Sequence, residues 1–255
     1  MKDITWCIEY LSKINSINSK INLPEHLQFR ALMNITMPVD LSGEFYDRQD
    51  RAIKELYKEK SIISVEELSL VKDRIYLYKG DITTLKADAI VNACNEKLLG
   101  CFHPLHSCID NAIHSFAGLE VRRDLMAIMA KQRYDEPNGK CKVTAGYNLP
   151  AKYIFHTVGP KVIGHVTKEN KDDLKRCYEV CLKKAEEMRL ESIVFPCIST
   201  GIYGYPQEEA AALAFDTVNR YIHTNHDTAV KRIVFNVFKE EDYAAYQRIL
   251  AENDK

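Results

Sequence analysis

The chain reads as an α/β protein with a helical N-terminal extension, and three observations predict that class. From about residue 72 onward, short apolar runs alternate with amphipathic helical stretches, the pattern of a largely parallel or mixed sheet covered on both faces. The run Ala87 to Ala93 is apolar enough to predict a strand buried on both sides. Before residue 71 only helical periodicity is visible. At 255 residues, with 46% hydrophobic residues, the chain has enough apolar material for one large domain with an appendage.

Each element follows in order. Trp6, Cys7, Tyr10, Leu11 and Ile14 share a helical face, as do Ile53, Leu56 and Tyr57, while Pro24 and Pro38 punctuate the region. Ser64 with Glu67 is a capping-box signature for a further short helix. Arg74 to Lys79 alternates as a strand and ends in the turn Gly80-Asp81. After the Ala87 to Ala93 strand, Cys108 to Gly118 reads as a helix, with more helix through about Lys131. Asn138-Gly139 turns the chain into a strand at Cys141 to Ala145, and Lys152 to Val158 is another, stopped by Gly159-Pro160. Leu174, Cys177, Tyr178, Cys181, Ala185 and Met188 give a long amphipathic helix. Ser192 to Phe195 is a buried strand, and Pro206 suits the first position of a helix reaching about Ile222. Arg232 to Phe238 is the last strand and Glu240 to Ala251 a closing helix.

Composition excludes several classes. The net charge is −1 and the pI near 6.7, which gives no bulk attraction for nucleic acid or an anionic membrane. The start of the chain carries no apolar signal core, and no uncharged run is long enough for a bilayer, so a cytoplasmic address is expected. Eight cysteines are too sparse for a disulfide scaffold. Cys177, Cys181 and Cys197 read as packing residues, and His114 and His156 as core histidines.

Two strand-to-helix junctions hold residue types suited to chemistry. Cys197 to Pro206 combines two glycines, small hydroxyl residues and a helix start, which suits an anion cradle of backbone N–H groups or, as readily, an ordinary turn. Cys101 to Cys108 places four soft-metal donors, Cys101, His103, His106 and Cys108, within eight residues. Mixed sulfur and imidazole donors suit Zn²⁺; four ligands make a closed structural site, and three leave a position open.

Six motifs, in order, resemble the macrodomain family. They are Gly80-Asp81-Ile82-Thr83, Val91-Asn92-Ala93-Cys94-Asn95, Ile113-His114 with Ala117-Gly118, Thr144 to Pro150, His156 to Pro160, and Phe195 to Pro206. The resemblance covers residues 72–255 and implies a three-layer α/β/α fold that binds ADP-ribose, with residues 1–71 as the helical extension. It implies that Asp81 accepts from the adenine amino group beside Ile82, and that Asn95 holds the distal ribose. Ser199, Thr200, Gly201, Ile202 and Tyr203 would wrap the pyrophosphate and distal ribose. Phe238, at the end of the last strand, is placed to stack on adenine.

One departure sharpens this. Where the hydrolytic macrodomains carry glycines after Leu98-Leu99-Gly100, this chain has Cys101 to Cys108, and Asp110 is followed by Asn111 where glycine is usual. Gly100, Cys101, Phe102, Pro104, His106, Cys108, Ile109, Asp110 and Asn111 instead resemble the zinc-dependent branch of microbial macrodomains. That likeness implies three zinc ligands, Cys101, His106 and Cys108, with His103 set aside. Ile109 and Asp110 would face the distal ribose, and Asp110 would orient water or cap its helix.

The function expected is zinc-dependent removal of mono-ADP-ribose from modified protein, through an Asp or Glu ester. The resemblance adds a sirtuin-modified lipoyl carrier protein as partner. The alternatives are a reader module with structural zinc and a deacetylase of O-acetyl-ADP-ribose.

Overall fold

The computed structural model describes residues 2–17 and 22–252. Among them the strands are β1 (Ile63–Ser64), β2 (Leu70–Lys72), β3 (Ile75–Lys79), β4 (Leu85–Lys86), β5 (Ala89–Cys94), β6 (Cys141–Ala145), β7 (Tyr153–Val158), β8 (Ser192–Phe195) and β9 (Arg232–Val237). The helices are α1 (Lys2–Ile14), α2 (Glu25–Ile35), α3 (Gly43–Tyr57), α4 (Ile109–Ala117), α5 (Leu119–Gln132), α6 (Lys168–Glu187), α7 (Gln207–Thr224) and α8 (Glu240–Glu252).

A seven-stranded sheet runs in the order β2-β3-β9-β8-β5-β7-β6. Its five inner strands are mutually parallel, and β2 and β6 close the edges antiparallel. The mixed, largely parallel sheet expected from the strand and helix alternation is therefore present. Alternate side chains of each inner strand feed opposite cores. Ile90, Ile154, Val194 and Val234 pack toward α1 to α5, while Val91, Phe155, Phe195 and Phe235 pack toward α6 to α8.

The N-terminal helices share that first core. Cys7, Leu11, Phe29, Leu32, Phe45 and Ile53 are fully buried in the same cluster as Ile90 and Ile113. Burying six such side chains is worth on the order of 10 kcal/mol before entropy is counted.

Several boundaries differ from the sequence reading. Ser64 caps a single 3-10 turn, Val65–Glu67, by accepting from Glu66 N, and no longer helix forms there. Pro206 is the residue before α7 and not its first helical one, with extended ψ of 130°. Val237 ends β9, leaving Phe238 outside the sheet. Gly118, at φ 105°, divides α4 from α5. The edge strand β2 escapes a periodicity reading because Leu70 and Val71 are both exposed and its pairing with β3 is bulged. Among the described residues no helix is long and apolar enough to cross a membrane.

Candidate functional site

The carboxyl ends of the five parallel strands meet on one edge of the sheet, where open α/β sheets take ligands. Gly80-Asp81 leaves β3, Asn95 leaves β5, Gly159 leaves β7, the loop 196–206 leaves β8 and Phe238 leaves β9.

Asp81 caps the 3-10 turn Ile82–Thr84: its Oδ1 accepts from Thr83 N at 2.9 Å and Thr83 Oγ1 at 2.7 Å. Lys60 Nζ pairs with Oδ2 and also lies 4.2 Å from the Phe116 ring centroid. Burial pushes this carboxyl up, but the hydrogen bonds from Lys60 and Thr83 outweigh it and hold it below its ordinary value. Ile82 is buried in the core shared with the N-terminal helices. Phe238 is 77% exposed and follows Val237, which pairs with Lys79 immediately before Gly80-Asp81.

The loop after β8 is held from within. Ser199 takes φ 67°, Tyr205 N donates to Ser199 O at 3.0 Å, and Gly204 N donates to Gly201 O at 3.0 Å. Thr200 Oγ1 donates to Cys197 O, and Val162 N ties Tyr203 O to the neighbouring loop. The amides of Gly201, Ile202 and Tyr203 donate to no acceptor among the described residues. Such a run of N–H groups before a helix has the chemistry to hold an anion. Burial pushes the Tyr203 hydroxyl up to about 12, reinforced by the charge of Glu96.

Asn95 Nδ2 donates to Gly100 O at 3.1 Å and lies 3.5 Å from Asp110 Oδ2. Asp110 sits in the first turn of α4 but does not cap it. Cys108 holds the cap position, its Sγ accepting from Asn111 N at 3.4 Å. The Asp110 carboxylate points inward, 5% exposed, and Oδ1 accepts from Asn92 Nδ2 at 2.8 Å. Burial pushes it up to about 6, against the Asn92 hydrogen bond and the Arg122 charge. Ile109, beside it, is half-buried against the N-terminal core.

Two histidines line the floor. His156 bridges Asn92 and Thr144, and burial drives it down to about 3. His114 Nε2 lies 3.4 Å from Asp110 Oδ1, and burial pushes its imidazole well below the usual range. Both are core histidines, as the sequence suggested.

The donor atoms of Cys101, His106 and Cys108 lie within 4.8 Å of one another, and Cys101 Sγ is 3.5 Å from His106 Nδ1. Donors around a tetrahedral Zn²⁺ stand about 3.5–3.8 Å apart, so this set is within side-chain rotation of that spacing. Sulfur and imidazole donors are also the right chemistry for the ion. His103 is exposed and outside the group, its ring centroid 6.0 Å from that of His106.

Four residues with structural parts in the site have no role assigned from the sequence. Asn92 orients Asp110, and its signal was a polar residue in the middle of a buried strand. Lys60, Asn34 and Arg122 gave no comparable signal, because their partners lie far along the chain.

The Macro domain family profile matches residues 91–214. A protein-ADP-ribose hydrolase of Treponema medium is 40% identical over 253 residues, 96% of this chain and 96% of its own length. One from Staphylococcus aureus (strain MRSA252) is 44% identical over 221 residues, 86% of this chain and 82% of its own. Among solved structures, a Trypanosoma brucei macrodomain in complex with ADP-ribose superposes with a TM-score of 0.66 at 29% identity, covering 86% of this chain and 94% of that one. An Oceanobacillus iheyensis macrodomain with ADP gives 0.65 at 34% identity, over 73% of this chain and 95% of that one. On the fold, the site edge and these likenesses together, the chain belongs to the macro domain family.

Proposed function

We propose that this protein is a zinc-dependent protein-ADP-ribose hydrolase that releases mono-ADP-ribose from an Asp or Glu ester. The observation that carries the reading is the juxtaposition of the Cys101, His106 and Cys108 donors with Asn95 and Asp110 at one sheet edge. The named hydrolases at 40% and 44% identity support the same activity.

The adenine amino group donates to Asp81, with Phe238 available to stack on the base. The pyrophosphate lies over the amides of Gly201, Ile202 and Tyr203, between Ser199, Thr200 and the Tyr203 ring. Asn95 holds the distal ribose and turns its anomeric carbon toward Asp110. Asp110, aimed by Asn92, accepts a proton from the attacking water; Ile109 closes the floor beside it. Cys101, His106 and Cys108 would hold Zn²⁺, which supplies Lewis acidity at the ester when bound.

Residues 72–255 form the macrodomain and residues 1–71 its extension in this reading. The partner is a mono-ADP-ribosylated cytoplasmic protein, with a sirtuin-modified lipoyl carrier protein as the first candidate substrate.

The test is zinc content of the purified protein, with ADP-ribose release from modified protein measured with and without chelator and in His106→Ala. Loss of release on chelation and in the variant, with ADP-ribose still bound, is expected. Cleavage at the normal rate by folded, metal-free protein overturns the zinc role. Tight binding of modified protein without cleavage makes the protein a reader, and release of acetate from O-acetyl-ADP-ribose alone makes it a deacetylase.

A further inference from the structure

The segment between Gly100 and Cys108 contains no helix or strand, yet it is fixed at several points from beneath. Leu105, at φ 55°, donates its N–H to Asn34 Oδ1 at 3.0 Å. Asn34 lies near the end of α2, is 1% exposed, and donates its amide to Ser115 Oγ on α4 at 2.9 Å. Ser115 Oγ lies 3.4 Å from Asn111 Oδ1, and Asn111 Nδ2 donates to His103 O at 3.0 Å. These contacts close a ring: α2 to α4, α4 to the loop, and the loop back to α2. Within that ring, Asn111 also bonds the Cys108 sulfur through its backbone.

A second brace lies beside it. Arg122, on α5 and 1% exposed, donates to the carbonyls of Met33, Asn34 and Thr36 at the end of α2. Those are groups a helix C-terminus leaves unpaired, and a cation is favoured there. The guanidinium also lies 4.4 Å from the centroid of the Phe102 ring, next to Cys101. The same arginine therefore joins the N-terminal helices to the start of the metal loop.

We infer that Asn34 of the N-terminal extension is a positioning residue for the Cys101-His106-Cys108 centre, acting with Asn111 and the Arg122–Phe102 stack. The inference rests on the reading of those three residues as metal ligands. Backbone tethers at His103 and Leu105 set where His106 stands, and the Phe102 stack sets where Cys101 stands. A metal centre built on an otherwise irregular loop needs such outer support to hold its ligands at bonding distance. The N-terminal layer is thus part of the support of the site. Asn111 serves here through its side-chain amide, which holds His103 O.

The experiment uses the full-length protein. Zn²⁺ affinity is measured by competition with a chromophoric chelator for the wild type, Asn34→Ala and Phe102→Leu. The visible spectrum of the Co²⁺-loaded protein and the ADP-ribose affinity of the metal-free protein are recorded alongside. Expected is a loss of about 10–100-fold in Zn²⁺ affinity for each variant, with an altered Co²⁺ spectrum and ADP-ribose affinity within twofold of wild type. Phe102→Leu removes only a half-buried stack, so it tests the inference even if Asn34→Ala folds poorly. Variants that bind Zn²⁺ as tightly as the wild type overturn it. Equal losses in metal and ADP-ribose binding also overturn it, since that pattern reports general destabilisation. A wild type that holds neither Zn²⁺ nor Co²⁺ refutes the metal reading itself, which the wild-type measurement shows before any variant is compared.

Discussion

Asn92 and Asp110 are joined by a 2.8 Å hydrogen bond that crosses from the middle of a buried strand to the first turn of a helix. The strand is rigid and paired on both sides, so the bond fixes the carboxylate in direction as well as in place. Without it, the carboxylate would keep the longer approaches of Asn95 at 3.5 Å and His114 at 3.4 Å and the charge of Arg122. Asp110→Asn keeps the shape and removes the base. ADP-ribose release should fall by about 10²-fold or more, with ADP-ribose affinity changed only a few-fold. Turnover equal to wild type would leave Asp110 with a packing role alone.

Cys108 serves two ends, since its sulfur both belongs to the donor group and caps α4. Substitution separates them. Cys108→Ser offers a better cap, so its stability in the absence of metal should stay within about 1 kcal/mol of wild type while Zn²⁺ binding is lost. Cys108→Ala should lose Zn²⁺ and about a further 1 kcal/mol of stability. Denaturant unfolding of both metal-free variants, with zinc content measured in parallel, decides the matter. A Ser variant that retains stoichiometric tight zinc removes Cys108 from the ligand set.

Gly100 precedes the Cys101 to Cys108 loop at φ 87°, and a Cβ there would stand 2.8 Å from His114 Nδ1 and 3.1 Å from an Arg122 guanidinium nitrogen. Gly100→Ala combines a left-handed backbone with two close contacts to buried groups. A loss of about 1–3 kcal/mol is expected, read as a lower denaturation midpoint. An unchanged midpoint would mean that the loop can retreat from the core freely.

The Lys60–Asp81 pair gives a pH signature. Asp81 sits below its ordinary value because hydrogen bonds from Lys60 and Thr83 overcome the effect of burial. A carboxylate lowered in this way stabilises the fold above its unfolded pKa of about 3.9, and that contribution fades as pH falls through the folded value. Lys60→Met raises the folded value, so acid unfolding should begin at higher pH. Near pH 7 the loss should be below about 1 kcal/mol, because the two side chains keep 25% and 33% of their surface exposed. Acid titration followed by circular dichroism measures this; coincident curves for variant and wild type would contradict it.

The sheet was legible because its information is local. Ala89–Cys94 and Ser192–Phe195 are short, mostly apolar runs, and the helices between strands carry their periodicity openly. The donor set was legible for the same reason, since Cys101, His106 and Cys108 lie within eight residues. The support beneath it was not. Asn34 reads as an unremarked polar residue in a helix until folding sets it against Leu105 and Ser115, 71 and 81 positions away. Arg122 reads as a surface charge on a helix until it is found against α2. Buried polar contacts between distant segments leave no period in a sequence.

Arg122 meets its three carbonyl partners 86 to 89 positions upstream. During synthesis the end of α2 is therefore made long before the side chain that completes it. A chain shortened from the front meets the opposite problem: the arginine arrives and its acceptors never do. What remains is a buried guanidinium without its carbonyl acceptors, left with the Phe102 ring and the charge of Asp110, in a core that has also lost Phe29 and Leu32. Trimming the extension thus acts on the loop that carries Cys101, His106 and Cys108, and a fragment that keeps the Arg122 contacts has to include α2.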